Sequence, residues 1–347
     1  MKTLEEFNAF VDQQLQTQLQ QLETRRLAGR AWVRRMRILG VLPMILFFIF
    51  LMWVVIPQEE HTKVNSTSVI LYLVGGIILT LALSFGIRRY MLQQKGAQEM
   101  IDYEQDFKNT VVKPIVAFIN PTFTYQPLNH ASYDEFTESG LFARKDYNVS
   151  GNDQVFGKVG EMSFQCCDLK VTSMPALTLR GLGPDVVFEG TWFVAQFPRY
   201  FNAPVYIVSR SAMADNLLSS GNTEAEYIET WNLGKKVTAS DTAFNRLFIV
   251  FAKDPDEAQQ LLTSELQERI IRLQERSQAP LFISFYNNRI YIGIGHGHDY
   301  FEAGLQESLA DRRVLTNYYM DLVHLLQIIE DLQQNGQIWT STAFTRS

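Results

Sequence analysis

Few residues in this chain fall in patterns that could do chemistry. The run GHGHDYFE sets His296 and His298 two apart, with Asp299 beside them. On a strand that spacing puts both imidazoles on one side, where they would face a single cation. A metal site needs a third or fourth ligand, and only the distant His130 and His324 could supply more imidazole. The run also follows a strand-like segment where a chain reversal is due. The expectation is therefore no metal, with His296 and His298 as the runner-up pair. Cys166 and Cys167 are the only cysteines and are adjacent, so they give no disulfide framework. They lie in a strand-like segment and read as buried structural thiols.

Other chemistries lack their signatures. There is no phosphate loop of the Gly-x-x-x-x-Gly-Lys-Ser/Thr type and no Gly-x-Ser-x-Gly elbow. GLGPDVVFEG contains Gly-x-Gly, but a proline follows the second glycine and no helix opens there, against a dinucleotide site. No catalytic residue and no cofactor are expected. The one stretch with binding-loop character is SGLFARKDYNVSGNDQVFGKVG, Ser139–Gly160. Leu141 and Phe142 should anchor in a core, and Ser150-Gly151-Asn152-Asp153 has turn chemistry. Gly151, Asn152 and Asp153 are the candidate binding loop, because loops on a rigid scaffold often carry function. The competing reading makes them a structural turn, capped by Asp153, with Gly157 and Gly160 bending the hairpin that follows.

The elements that must hold these residues divide at the membrane. Residues 38–58, ILGVLPMILFFIFLMWVVIPQ, contain no charge, and neither do residues 64–87. Each run approaches the roughly 20 residues needed to cross the hydrocarbon layer as a helix. Neither keeps the polar edge of a soluble core helix. Up to Lys95 there are 11 Lys+Arg against 6 Asp+Glu, and from Gly96 onward 20 against 31. Arg25, Arg26, Arg30, Arg34, Arg35 and Arg37 precede the first run; Arg88, Arg89 and Lys95 follow the second. Cations mark the cytoplasmic side, so both termini are expected inside, with a short loop outside. An acidic C-terminal body is a poor partner for nucleic acid. Two spans without an ionisable residue offer no ion path within one chain. Gly75-Gly76 would permit close helix contact in a homo-oligomer.

The expected order is an N-terminal cytoplasmic amphipathic helix (1–37), a first transmembrane helix (38–58), a short external loop (59–67) and a second transmembrane helix (68–87). A cytoplasmic helical connector (88–120), a cytoplasmic α+β domain (121–335) and a loose tail (336–347) complete it. Leu4, Phe7, Val11, Leu15, Leu19 and Leu22 recur at helical spacing and suit packing on the chain's own domain. Gln98 to Phe118 reads as a helix bent or divided at Pro114, and the segment from Ile119 to Phe136 as an irregular wrap.

Within the α+β domain, residues 155–173 read as a hairpin and VVFEGTWFVAQFP as a long strand. PVYIVSR opens on proline and reads as an edge strand, and AFNRLFIVFAKD as a buried strand. A single helix should start at Asp254 and carry Ala258, Leu262, Leu266, Ile270 and Leu273 on one face. In LFISFYNNRIYIGIG, a two-residue turn at Asn287-Asn288 sets Phe285 against Ile290, Ile283 against Ile292 and Leu281 against Ile294. All six then share one face, which fixes the register. A last helix runs from about Arg312 to Leu332. The class is α+β: two transmembrane helices plus an antiparallel sheet with packed helices.

The cues LETRR, FKNTVVKPI, FTYQP, ESGLF, YNVSGND and VFGKVGE, followed by FIVFAKDPDEAQQLL and FISFYNNRIYIGI, resemble in their order a bacterial family, domain of unknown function 3137. The resemblance spans about residues 98–335 and the N-terminal helix. It implies a multi-pass protein of the bacterial inner membrane with a cytoplasmic domain and no established activity. It supplies no catalytic residues, and it hints at a LemA-type membrane protein as partner. The expected function is a non-catalytic binding domain, an adaptor or sensor tethered to the lipid bilayer. The alternative is a membrane-associated enzyme acting on a lipid or envelope precursor. Reporter fusions at Ser347 are expected to report a cytoplasmic location in intact cells; an external Ser347 would overturn the topology.

Overall fold

The computed structural model describes residues 2–52, 66–92, 95–142, 146–173, 176–178, 181–183, 185–197, 200–201, 203–214, 229, 232–297, 304 and 308–334. The chain opens with α1 (Leu4–Phe10), a π-helical turn (Val11–Leu15) and α2 (Gln16–Phe50). Then come α3 (Ser66–Leu92), α4 (Lys95–Phe107), a second π-helical turn (Lys108–Val112) and α5 (Lys113–Ile119). The irregularity expected at Pro114 thus lies one turn earlier, and Pro114 sits in the first turn of α5, where a missing N–H costs nothing.

The rest is mixed. β1 (Thr124–Gln126), α6 (Tyr133–Glu138), β2 (Tyr147–Val159) and β3 (Met162–Ser173) lead to a small ladder of β4 (Ala176–Thr178) and β5 (Gly181–Gly183). β6 (Val186–Gln196), β7 (Val205–Ser209), β8 (Lys235–Val237), α7 (Thr242–Leu247) and β9 (Phe248–Ala252) follow. The chain continues with α8 (Pro255–Leu261), α9 (Ser264–Ser277), β10 (Leu281–Tyr286), β11 (Arg289–Ile294) and α10 (Arg312–Gln334). Contacts divide the chain into two units: Val11–Val111 with Ala303–Arg312, and the remainder.

The larger unit is built on a nine-stranded antiparallel sheet in the order β1-β2-β3-β6-β11-β10-β7-β9-β8. The β10–β11 hairpin has the expected register: Phe285 opposes Ile290, Ile283 opposes Ile292 and Leu281 opposes Ile294. All six are buried. The opposite face is buried as well, which explains the near-continuous apolar run in these strands. There Phe136 and Phe142, from the segment around α6, pack against Phe188, Trp192 and Phe282. The Phe136 ring lies 4.7 Å from Phe142 and 5.0 Å from Trp192. Each such ring contributes about 1.5–3 kcal/mol on burial. Leu141 and Phe142 are core anchors, as expected. The polar residue on this face is answered too: Ser284 Oγ donates to the Ser139 carbonyl at 2.7 Å.

Four expectations need correction. The segment 119–136 is not all irregular: it contains β1 and opens α6, whose capping box joins Ser132 and Glu135. The strand after Pro204 is not an edge but lies between β10 and β9; the proline precedes the ladder and removes no bond from it. Residues 243–254 divide into α7, capped by Asp241, and β9. The single helix from Asp254 is two. Asp254 does cap α8, accepting from the N–H groups of Asp256 and Glu257 at 3.0 and 3.4 Å. Thr263 then caps α9 by accepting from Leu266 N at 3.3 Å, and Gln267 Nε2 donates to the Leu262 carbonyl left free at the break, at 2.6 Å. A threonine hydroxyl competes for backbone partners and favours a cap over a helix interior.

Within this unit α9 and α10 are joined by the Arg276–Asp321 ion pair and by Arg269 Nη1 donating to Gln327 at 2.9 Å. Phe7 of α1 stacks on Tyr319 of α10 at 4.3 Å, and Phe10 stacks on Phe118 of α5 at 4.4 Å. The start of the N-terminal helix therefore packs on the sheet-containing unit.

The second unit is helical. α2 and α3 meet closely at Gly76, where a side-chain carbon would stand 1.9 Å from the Phe47 ring. Both helices turn large apolar residues outward, with Phe48 60% exposed, Leu81 64% and Phe85 66%. Among the described residues one helix segment, Leu73–Met91, is long and apolar enough to cross a membrane. The other apolar run, 38–58, continues past Met52 beyond the described residues.

The LETRR motif clamps the base of this unit. Arg25 pairs with Asp106 of α4. Glu23 accepts from Arg26 Nη2 at 2.7 Å and Nε at 2.8 Å, from Ser308 Oγ at 2.9 Å and from Leu309 N at 3.0 Å. These donors hold its carboxyl at about 2, below the ordinary 4.5. A depressed carboxylate stabilises the fold above the unfolded-state value, and that contribution disappears as pH falls through about 2. Glu23→Gln is expected to cost about 1–3 kcal/mol at neutral pH and to flatten the stability loss between pH 4.5 and 2, read by denaturant titration.

Candidate functional site

The candidate loop lies inside a strand. β2 runs unbroken from Tyr147 to Val159, so Gly151, Asn152 and Asp153 belong to the sheet and not to a turn. Asn152 opposes Asp168 and Val155 opposes Cys166, which leaves one extra residue on β2. The turn chemistry makes a bulge here, with Asp153 at φ 57. Aspartate tolerates this left-handed conformation better than most residues. Asp153 is wholly buried, its carboxylate accepts from the Tyr125 hydroxyl, and its N–H donates to the Pro127 carbonyl at 3.2 Å. It is a clasp between β2 and the turn after β1. Gly151 has no room for a side chain: an added carbon would stand 2.1 Å from the Asp168 carbonyl oxygen and 2.9 Å from His130. Asn152 and Gly151 do line a notch of about 240 Å³ that also borders Asp168, Lys170 and Glu189. Lys170 and Glu189 pair beside it at 2.7 Å, and buried Asp168 accepts from Thr191 Oγ1 at 3.2 Å.

His296 lies just beyond β11, in a reversal where Gly297 N donates to the Glu189 carbonyl at 2.9 Å. His298 and Asp299 lie outside the described residues. His130 contacts the Ala131 carbonyl at 2.8 Å and His324 the Met320 carbonyl at 2.6 Å, each through Nδ1. Among the described residues no three His, Cys, Asp or Glu side chains are placed to hold a metal. Cys166 and Cys167 are free and buried, on opposite faces of β3. Burial pushes both thiols up, and Cys167 Sγ accepts from Ala131 N at 3.3 Å, so neither supplies a thiolate.

A larger polar site forms where β2, β3, β6 and β11 pass α6. Gln154 Nε2 donates to Gln165 Oε1 at 3.0 Å, and Gln165 Nε2 donates to Glu135 Oε1 at 2.6 Å. The other Glu135 oxygen accepts from Ser132 N at 2.9 Å, so the capping carboxylate of α6 also ends a chain of amides. Arg289 Nη1 donates to Glu138 at 2.7 Å. Tyr291 bonds to Arg289, and burial is the main reason its phenol is raised above the ordinary value. Gln154, Gln165, Glu135 and Arg289, together with Gln126, Gln196, Lys158 and Phe156, line a groove of about 530 Å³, with Glu138 and Tyr291 bonded to Arg289 outside the lining. Amides offer a donor and an acceptor each, and the groove adds one acid, Glu135, and two bases, Lys158 and Arg289, the latter held by Glu138. Such a surface suits the backbone or hydroxyl groups of a polar chain. Both carboxylates are already engaged by donors, which does not prepare either as a general base.

The sequence reading missed this groove. Its residues come from six segments, and only strand register brings them together. The available signal was polar residues at pleat positions of otherwise apolar strands, Gln154 and Gln165 above all.

Residues 186–334 match the family model described as "Protein of unknown function (DUF3137)". Over these residues the chain resembles that family. The match takes in β6 through α10 and leaves β2 and β3 outside. The crystal structure of the mycobacterial trehalose monomycolate transport factor A, TtfA, aligns with 64% of this chain and 92% of its own, at 11% identity and a TM-score of 0.31. No curated protein matches the chain.

The clasp can be tested directly. Asp153→Ala removes an acceptor from the buried Tyr125 hydroxyl and forces alanine into a positive φ, for an expected loss of about 2–4 kcal/mol. Asp153→Asn, which keeps an acceptor and tolerates that backbone, is expected to lose less than half as much. Thermal or denaturant unfolding of the two variants measures the difference.

Proposed function

We propose that the chain is a membrane-anchored, non-catalytic binding protein. α2 and α3 form the anchor, and the groove beside α6 takes a segment of a partner protein. The observation that carries the anchor is exposure: none of the Leu73–Met91 segment is buried. A core helix of the same composition would be covered by its own protein, and water would exact a large penalty for so much uncovered apolar surface. Residues Ile38–Met52 of the first run, exposed in the same way, support a second span. The arginines before α2's apolar half support an orientation with both termini in the cytoplasm of a bacterium and the anchor in its inner membrane.

The groove supports the binding half of the reading. It is concave, polar and close to neutral, and its amides are held in place by one another. A LemA-type membrane protein is the partner proposed by resemblance. An adaptor role asks nothing of the groove but recognition. An enzyme would need a free base, and Glu135 and Glu138 both have donors already.

Membrane fractionation of the full chain is the first test. It is expected to stay in the membrane pellet through a high-salt or alkaline wash and to leave only with detergent; release by salt alone would overturn the anchor. Affinity capture from detergent extracts is the second. Gln165→Ala with Arg289→Ala is expected to reduce recovery of a captured partner at least about ten-fold, the loss of about 1.4 kcal/mol, while circular dichroism still shows a folded chain. Unchanged recovery would overturn the groove.

A further inference from the structure

Helix α2 carries six arginines before its apolar half, and they fall into two groups. Arg25 is paired with Asp106 and Arg26 with Glu23. Arg30, Arg34, Arg35 and Arg37 are exposed and make no ion pair with a described residue. Two clusters in one helix thus differ in kind: the first holds the unit together, and the second is left facing outward.

The second group is also ordered. Arg30, Arg34 and Arg37 follow at intervals of four and three, and Val41 and Ile45 continue the row at intervals of four. At about 100° per residue these five lie within roughly 80° of one helix face. The row is about 22 Å long at 1.5 Å per residue. Its first half is cationic and its second half apolar and exposed, with Val41 at 44% and Ile45 at 50%. The row belongs to an open face of α2 that also carries Leu27, Ile38 and Leu42, with guanidinium groups toward one end and aliphatic carbon toward the other.

A cationic end joined to an apolar strip is the complement of one kind of molecule, an anionic amphiphile. A nucleic acid would leave Val41 and Ile45 in water and would meet a net −11 over residues 96–347. A zwitterionic lipid would leave three guanidinium groups with no net charge to balance. We propose that this face of α2 binds an anionic glycerophospholipid of the surrounding bilayer, its headgroup phosphate on Arg30, Arg34 and Arg37 and an acyl chain along Val41 and Ile45. Arginine suits this role because its planar fork engages phosphate oxygens two at a time. The proposal rests on the membrane anchoring argued above and adds to it a preference among lipids.

The test uses the full chain in phosphatidylcholine vesicles. Trp53, Trp231 and Trp339 are replaced by phenylalanine, which leaves Trp32 on α2 among the arginines and Trp192 buried in the sheet core. Quenching by brominated phosphatidylglycerol is compared with quenching by brominated phosphatidylcholine, and flotation of the vesicles reports insertion separately. The expected preference for phosphatidylglycerol is about five-fold or more, since each juxtamembrane cation contributes about that factor. Arg30→Gln, Arg34→Gln and Arg37→Gln together are expected to abolish it while flotation and thermal stability stay unchanged. Arg89→Gln, which removes an exposed cation from α3, is the control for a diffuse field and is expected to leave most of the preference. Equal quenching by the two lipids, or an equal fall for Arg34→Gln and Arg89→Gln, overturns the lipid site and leaves the anchor standing. A chain that does not float with the vesicles overturns the anchor and the lipid site with it.

Discussion

A sheet covered on both faces has no water for its backbone, so each N–H and C=O of β6, β11, β10 and β7 must find its partner on the neighbouring strand. That constraint governs the larger unit. It demands strands apolar on both sides, as in LFISFY, and it allows polar side chains only where another segment answers them. Ser284 meets this demand through the Ser139 carbonyl, far away in sequence. The segment around α6 is therefore a lid closed by hydrogen bonds as well as by Phe136 and Phe142. Removing a ring from that face would open a cavity and strand the polar contacts beside it.

The same constraint explains the bulge. An extra residue in β2 interrupts the ladder, and its amide must be satisfied elsewhere. Pro127 supplies the acceptor for Asp153 N, and Tyr125 the donor for its carboxylate. The short strand β1 is held to the sheet by this clasp and by three register pairs. Past the bulge, Gln154 is turned toward Gln165 and the amide chain that ends on Glu135. The groove is thus a consequence of the bulge: without the extra residue, alternate side chains of the following half of β2 would point to the other face.

The helical unit follows a different rule. Its interior is thin, a contact of Gly76 with the Phe47 ring and a clamp of charges at the base of α2. Its outer surface is apolar. Arginines inside the clamp have carboxylate partners, and those nearer the apolar half have none among the described residues. On the proposed reading of this unit as a membrane anchor, a bilayer would solvate both the apolar surface and the cations beside it.

Composition and periodicity by themselves determined the two apolar runs, the charge asymmetry, the α+β class, the β10–β11 register and the core anchors Leu141 and Phe142. Each of these depends on local pattern, since burial of a continuous face leaves a period in the chain. The resemblance to a family of unknown function was legible from the order of short cues, and the family match covers residues 186–334. Tertiary structure alone decided that β7 is interior, that α8 and α9 are separate, that Ser150–Asp153 lies within a strand with a bulge after Asn152, and that Gln154, Gln165, Glu135 and Arg289 meet. Turn-forming residues suit a turn and a bulge equally, and the presence of a partner strand selects between them. A groove assembled from six segments leaves no period in any of them, because its geometry resides in the strand order.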